Sequence, residues 1–210
     1  MVEQTEEEVR MFSSKKEYQR FLQQMREEKD MEISKLYNKT ADQVLELSKQ
    51  TDAVPVDLKK ILKLFNISAI PKDFSKLDLE LNQQFSNVHI LGIFVSNDKN
   101  AAIFYNKTDV EDSHRYRFTI AHELAHCCLQ GEKSHIEFRV AGLEPDENEL
   151  AANTFAGALL IPEKSLNKAL DELIVPSLHA LADIFEVSEN VMKARLQYLK
   201  IKKSIVGFNY

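Results

Sequence analysis

Tryptophan is absent from this 210-residue chain, and glycine, proline and cysteine are scarce at five, five and two residues. With so little Pro and Gly, collagen-like repeats and flexible low-complexity linkers are excluded, and the many Glu, Lys and Leu tilt the composition toward helix. The two cysteines are neighbours, Cys127 and Cys128. Adjacent residues rarely bridge, so no disulfide framework is available; the pair reads as two buried thiols on a helix of a reduced, cytoplasmic protein. No apolar run approaches the ~20 residues of a membrane span. Met1 to Arg10 is Glu-rich, where a signal peptide needs a basic start and an apolar stretch. Basic excess is missing too: 27 Lys plus Arg against 33 Asp plus Glu leave a net charge of −6. A surface built for phosphate backbones or anionic lipid is therefore not expected, and any basic patch must be local.

What is present is patterned. Ser14 to Glu17 fits a capping box, followed by Tyr18, Phe21, Leu22 and Met25 at helical spacing. Thr40-Ala41-Asp42-Gln43 is a second cap-like signal ahead of Val44, Leu45 and Leu47. Residues 1–50 thus read as a helical extension that packs on the body or on a partner. Val54-Pro55-Val56-Asp57 opens a short helix through Phe65, with Pro55 tolerated at its start and Asn66 closing it in a left-handed conformation. Val88 to Ser96 and Ala101 to Tyr105 are β-rich runs joined by the polar turn Asn97 to Asn100, which predicts a hairpin. A long helix is expected from Asp112 or Ser113 to just before Gly131, and another from Glu147 to Leu160, stopped by Ile161-Pro162.

The chemistry lies in His122-Glu123-Leu124-Ala125-His126. On a helix, residues four apart share a face, so both imidazoles can reach one ion while Glu123 addresses a water beside it. A random chain of this composition holds about 0.02 such matches, so coincidence is a weak explanation. A hydrolytic zinc site needs a third protein ligand and an open position for water. A histidine six residues beyond the motif is ruled out, because Leu129 stands where that arrangement needs Gly and Glu132 where it needs His. Glu149, 23 residues after His126, is the leading candidate, with His135, Glu144 and Glu147 as competitors. Asn153 is four residues from Glu149, placed to accept the free ring N–H of a ligand histidine.

Arg117-Phe118-Thr119-Ile120-Ala121-His122-Glu123-Leu124-Ala125-His126, followed by Glu149 to Pro162 (ELAANTFAGALLIP), resembles the ImmA/IrrE family of metallopeptidases. The likeness spans roughly residues 53–200. Two departures stand out: Ala125 where many members have Gly, and Ala151 where many carry a glutamate. The resemblance implies a zinc endopeptidase that cleaves a helix-turn-helix transcriptional repressor, acting as the anti-repressor of a phage, mobile element or stress response. His122, His126 and Glu149 are then the metal ligands, Glu123 the general base, and Asn153 a partner that orients a ligand. The expected organisation is a helical extension (1–50) that lies outside the family pattern, a zincin-like domain (51–175) and a helical C-terminal subdomain (176–210).

Other features admit ordinary readings. Tyr105, Tyr116, Arg115, Arg117, His114 and His135 are all candidate oxyanion donors, although a structural salt bridge suits Arg117 better. The acidic stretch Glu132 to Glu149 reads as a solvated loop or as a flap selecting basic substrates. Leu181 to Leu199 has helix-turn-helix spacing, with Lys193, Arg195, Lys200, Lys202 and Lys203 making it locally basic. A helical pair packed on the core has the same spacing and is the favoured reading. The expected fold is α+β and mainly helical, with a small antiparallel sheet packed against the two motif helices. The rivals to a repressor-cutting zinc peptidase are a DNA-binding regulator with a structural zinc and a relative that binds the repressor without cutting. Retention of Glu123 argues against the latter, since binding alone needs no general base.

Overall fold

The computed structural model describes residues 32–82, 89–96, 101–110, 113–130, 136–141 and 146–208. The capping box at Ser14, the turn at residues 97–100 and Gly131 lie outside them. The class is α+β and mainly helical. The described residues form eight α-helices: α1 (Ala41–Leu47), α2 (Leu58–Leu64), α3 (Ser75–Leu81), α4 (Ser113–Gln130), α5 (Glu147–Leu160), α6 (Glu163–Glu172), α7 (Leu178–Phe185) and α8 (Glu189–Tyr198). Four strands, β1 (Ile67–Lys72), β2 (His89–Ser96), β3 (Ala101–Asn106) and β4 (Ile136–Ala141), make one sheet of order β1-β3-β2-β4.

The sheet is mixed rather than wholly antiparallel. β2 pairs antiparallel with both β3 and β4, as a hairpin and its neighbour should, but β1 joins β3 in parallel. Pro71 hides β1 in the sequence because proline cannot donate to a ladder; it is tolerated here because β1 is an edge strand. β4 occupies the other edge, so the middle of the acidic stretch is a strand and not a loop.

Both faces of the sheet are covered. Phe94, Ala101 and Ile103 point into the main core with Ile120, Ala121 and Leu124 of α4. Ile90, Ile93, Val95, Ala102 and Phe104 point the other way, against Phe74 and the half-buried Leu77 and Leu81 at α3. Covered on both sides, β2 and β3 read as nearly continuous apolar runs. The β2–β4 register shifts between Ile90 and Gly92, so Ile90 joins Ile93 and Val95 on one face despite its odd spacing. A polar clamp holds the start of β2: Asp78 accepts from the Ile90 amide (2.8 Å) and lies 2.6 Å from His89 Nδ1, while the Asn106 amide donates to the Ile90 carbonyl (3.1 Å).

The local signals explain most helix starts. Thr40 and Gln43 form the reciprocal capping box. α2 begins three residues after Pro55, because the Asp57 carboxylate supplies an acceptor for the Lys60 amide (3.1 Å) and proline supplies none. Asn66 adopts φ 52°, the left-handed conformation expected after α2.

The ends of the described chain join the same interior. Ile33, Leu36, Val44 and Leu45 lie in the main core, and the Asn38 amide donates to the Cys128 carbonyl (2.7 Å) at the end of α4. Leu178, Leu181, Phe185, Met192 and Leu196 pack into that core as well. Arg195, one of the residues that made the tail look basic, is 8% exposed and donates through Nε to the Ile161 carbonyl (3.1 Å). Its charge faces inward. No described helix is long and apolar enough to cross a membrane.

Candidate metal centre

α4 is the central helix, and every residue from 119 to 128 is buried. A helix buried all round is ordinarily apolar, yet Thr119, His122, Glu123 and His126 are each at most 1% exposed. Burying such groups is costly unless each has a partner or a task. Cys127 and Cys128 are the inert part of this helix: burial pushes the Cys127 thiol up to about 12 and Cys128 well above its usual value, so both stay protonated.

One turn apart, His122 and His126 bring their Nε2 atoms to 3.0 Å. α5 delivers the third group. Asp146 caps that helix by accepting from the Glu149 amide (2.9 Å), which puts Glu149 in the first turn, where the helix dipole favours a carboxylate. Glu149 Oε2 lies 3.2 Å from His122 Nε2 and Oε1 lies 3.1 Å from His126 Nε2. Burial alone would push the Glu149 carboxyl up. When protonated on Nε2, the two imidazoles donate to the carboxylate, outweigh burial and hold it well below the ordinary carboxylate range.

One turn further along α5, Asn153 Oδ1 lies 3.0 Å from His122 Nδ1. A carbonyl oxygen can only accept, so Nδ1 carries a proton, and in the neutral ring Nε2 turns its lone pair toward His126 and Glu149. Lone pairs and a carboxylate converging within hydrogen-bond distance repel one another unless a proton or a metal cation lies among them. The spacing suits such an ion: ligand distances of about 2.0–2.1 Å in tetrahedral geometry separate donor atoms by about 3.3 Å. Two imidazoles and a carboxylate are a donor set for a first-row divalent metal. Among the described residues, His122, His126 and Glu149 are the group that could hold one. The imidazoles are sealed, while the Glu149 side chain is 25% exposed, so the cluster opens toward solvent on the Glu149 side.

The other candidates are placed as follows. Glu147 is exposed on the first turn of α5, and His135 and Glu144 lie outside the described residues. Arg117 is a structural tie: Nη2 donates to the Val56 carbonyl (2.8 Å), Nε to the Glu186 carbonyl (3.2 Å), and Nη1 lies 3.4 Å from the Glu186 carboxylate. Tyr105 and Tyr116 stack with ring centroids 5.8 Å apart. They line a cleft of about 620 Å³ against α2 whose walls include neither imidazole nor Glu149. Ala152 and Ala156 are buried on α5, Ala151 is exposed, and Gly157 faces Arg195 of α8. Sequence reasoning missed Gly92, which lies against Glu123. A glycine inside an apolar strand is the available signal, since it marks a bulge or a close approach.

No curated protein and no solved structure matches the chain. A family model does, that of the IrrE N-terminal-like domain (Peptidase_M78), over residues 77–197, which takes in the sheet from β2 onward, both motif helices and the C-terminal pair. A match over more than half the chain, centred on a cluster able to hold a metal, settles the family: this protein belongs to the IrrE N-terminal-like peptidases.

Proposed function

We propose that the chain is a zinc-dependent, site-specific endopeptidase of the cytoplasm, with His122, His126 and Glu149 as the ligands and Glu123 as the general base. The convergence of two imidazole nitrogens and a carboxylate, 3.0–3.2 Å apart, carries this reading. Held there, zinc supplies Lewis acidity, making a water more acidic and polarising a scissile carbonyl. The chain supplies the rest. Asn153 fixes the His122 tautomer so that Nε2 keeps a lone pair for the metal. Glu123 takes the proton from the attacking water and passes it to the leaving amine. Its burial between α4 and β2 keeps the carboxylate out of bulk water, so the proton is not lost to solvent.

The substrate we propose is a helix-turn-helix transcriptional repressor, as the likeness to the ImmA/IrrE family implies, with the chain serving as its anti-repressor. The rival DNA-binding reading loses support because Met192, Arg195 and Leu196 of α8 face the core. The test is incubation of the zinc-loaded protein with a repressor encoded beside its gene, followed by mass spectrometry of the products. Discrete fragments are expected, and Glu123→Gln should keep about one zinc per chain while losing 10²–10⁴-fold in rate. An intact repressor under all conditions, or full activity in Glu123→Gln, overturns the proposal.

A further inference from the structure

β2 packs against α4 with a glycine facing Glu123 and Thr119. A Cβ built on Gly92 would lie 2.7 Å from Glu123 Oε1, 2.7 Å from Thr119 Cγ2 and 3.1 Å from Glu123 Cδ. Ordinary contact begins near 3.4 Å, so the methyl of an alanine has no room. Backbone freedom is not the reason for this glycine, since its φ is one that any residue adopts. Gly92 is paired in the sheet with Tyr105 on one side and Arg139 on the other, next to the register shift at Ile90. The strand is therefore held from both flanks and cannot retreat cheaply.

We infer that Gly92 is the seat of Glu123: its missing side chain sets the depth at which the carboxylate lies against the sheet, and so where the proton acceptor stands. This positioning role rests on the peptidase reading for its consequence, although the seat itself does not. Three parts meet at this point, and their stiffness differs. The strand is fixed by two ladders. Thr119 is β-branched and limited to two χ1 rotamers on a helix, so its methyl has little freedom to swing aside. Glu123 has three rotatable bonds, so an added methyl at position 92 displaces the carboxylate. Its neighbour in sequence, His122, is held separately by Asn153, so the metal ligands keep their places when the base moves. Gly92→Ala is thus a way of moving the base without touching the ligands.

Two measurements decide it. The first is a stability cycle in a Thr119→Ser background, which keeps the hydroxyl but removes the other atom in the way. Gly92→Ala is expected to lower Tm by several degrees there, and adding Glu123→Ala should restore most of that loss. An equal loss with and without the Glu123 carboxylate overturns the seat. Should Gly92→Ala fail to fold, Gly92→Ala with Glu123→Ala is expected to fold and unfold cooperatively; failure of both overturns it equally. The second measurement, with Thr119 intact, is cleavage by Gly92→Ala. Zinc should remain near one per chain and KM near its wild-type value, while kcat falls about 10²-fold, the cost of misplacing a reacting group by about an ångström. An unchanged kcat refutes the positioning role even if the cycle shows coupling. A wild type that cleaves nothing sinks the peptidase reading instead, and leaves the stability cycle to judge the seat.

Discussion

Replacing Asn153 by alanine removes the acceptor 3.0 Å from His122 Nδ1 and nothing that points at the metal cluster itself. Two losses follow. The Nδ1–H, on a ring with no exposed surface, is left without its Asn153 acceptor. Leaving a buried donor unmade costs about 1–3 kcal/mol. The ring also becomes able to carry its proton on Nε2, a tautomer that presents N–H instead of a lone pair to the metal. Outer partners of metal-bound histidines are worth about 10–100-fold in affinity, which at about 1.4 kcal/mol per decade falls in the same range. Asn153→Ala should therefore weaken zinc binding by about 10–100-fold, read by competition against a chromophoric chelator. Asn153→Asp provides the opposite sign: a carboxylate accepts more strongly from an imidazole N–H, so affinity should match or exceed wild type. Equal affinity in Asn153→Ala and wild type would refute the argument that the second turn of α5 fixes the ring, and a weaker Asn153→Asp would refute its electrostatic basis.

The metal-free protein should lose stability in acid through Glu149. Its carboxyl is depressed below its ordinary value of 4.5, so the stabilisation is whole above that pH and drains away as pH falls toward the folded value. Glu149→Gln should flatten that acid limb in a pH series of thermal melts; an unchanged limb would show that the carboxylate is not paired. Arg117→Ala should cost about 3 kcal/mol, a fall in Tm of roughly 6–12 °C, because the Val56 and Glu186 carbonyls both lose their charged donor. Zinc affinity of Arg117→Ala, measured with the same chelator, should match wild type, and a tenfold loss would mean that Arg117 belongs to the site after all.

The candidate site was legible in the linear chain because its parts are local. His122 and His126 need only a helix to converge, as do Glu149 and Asn153; the first helix announces itself by its lack of Gly and Pro, the second by the Ile161-Pro162 stop at its end. The apolar runs of β2 and β3 were equally plain. β1 was not, since Pro71 argues against a strand until an edge position is known, and β4 was masked by the acids around it. Tertiary structure alone decided that the two helices approach so that His122 meets Asn153 and Glu149 faces both imidazoles. It alone turned Arg195 inward to Ile161 and set Arg117 between Val56 and Glu186. Gly92 shows the physical reason. Its meaning lies 31 residues away at Glu123, in a strand-to-helix approach that hydrophobic pattern does not encode, because what matters there is the absence of an atom and not the presence of one.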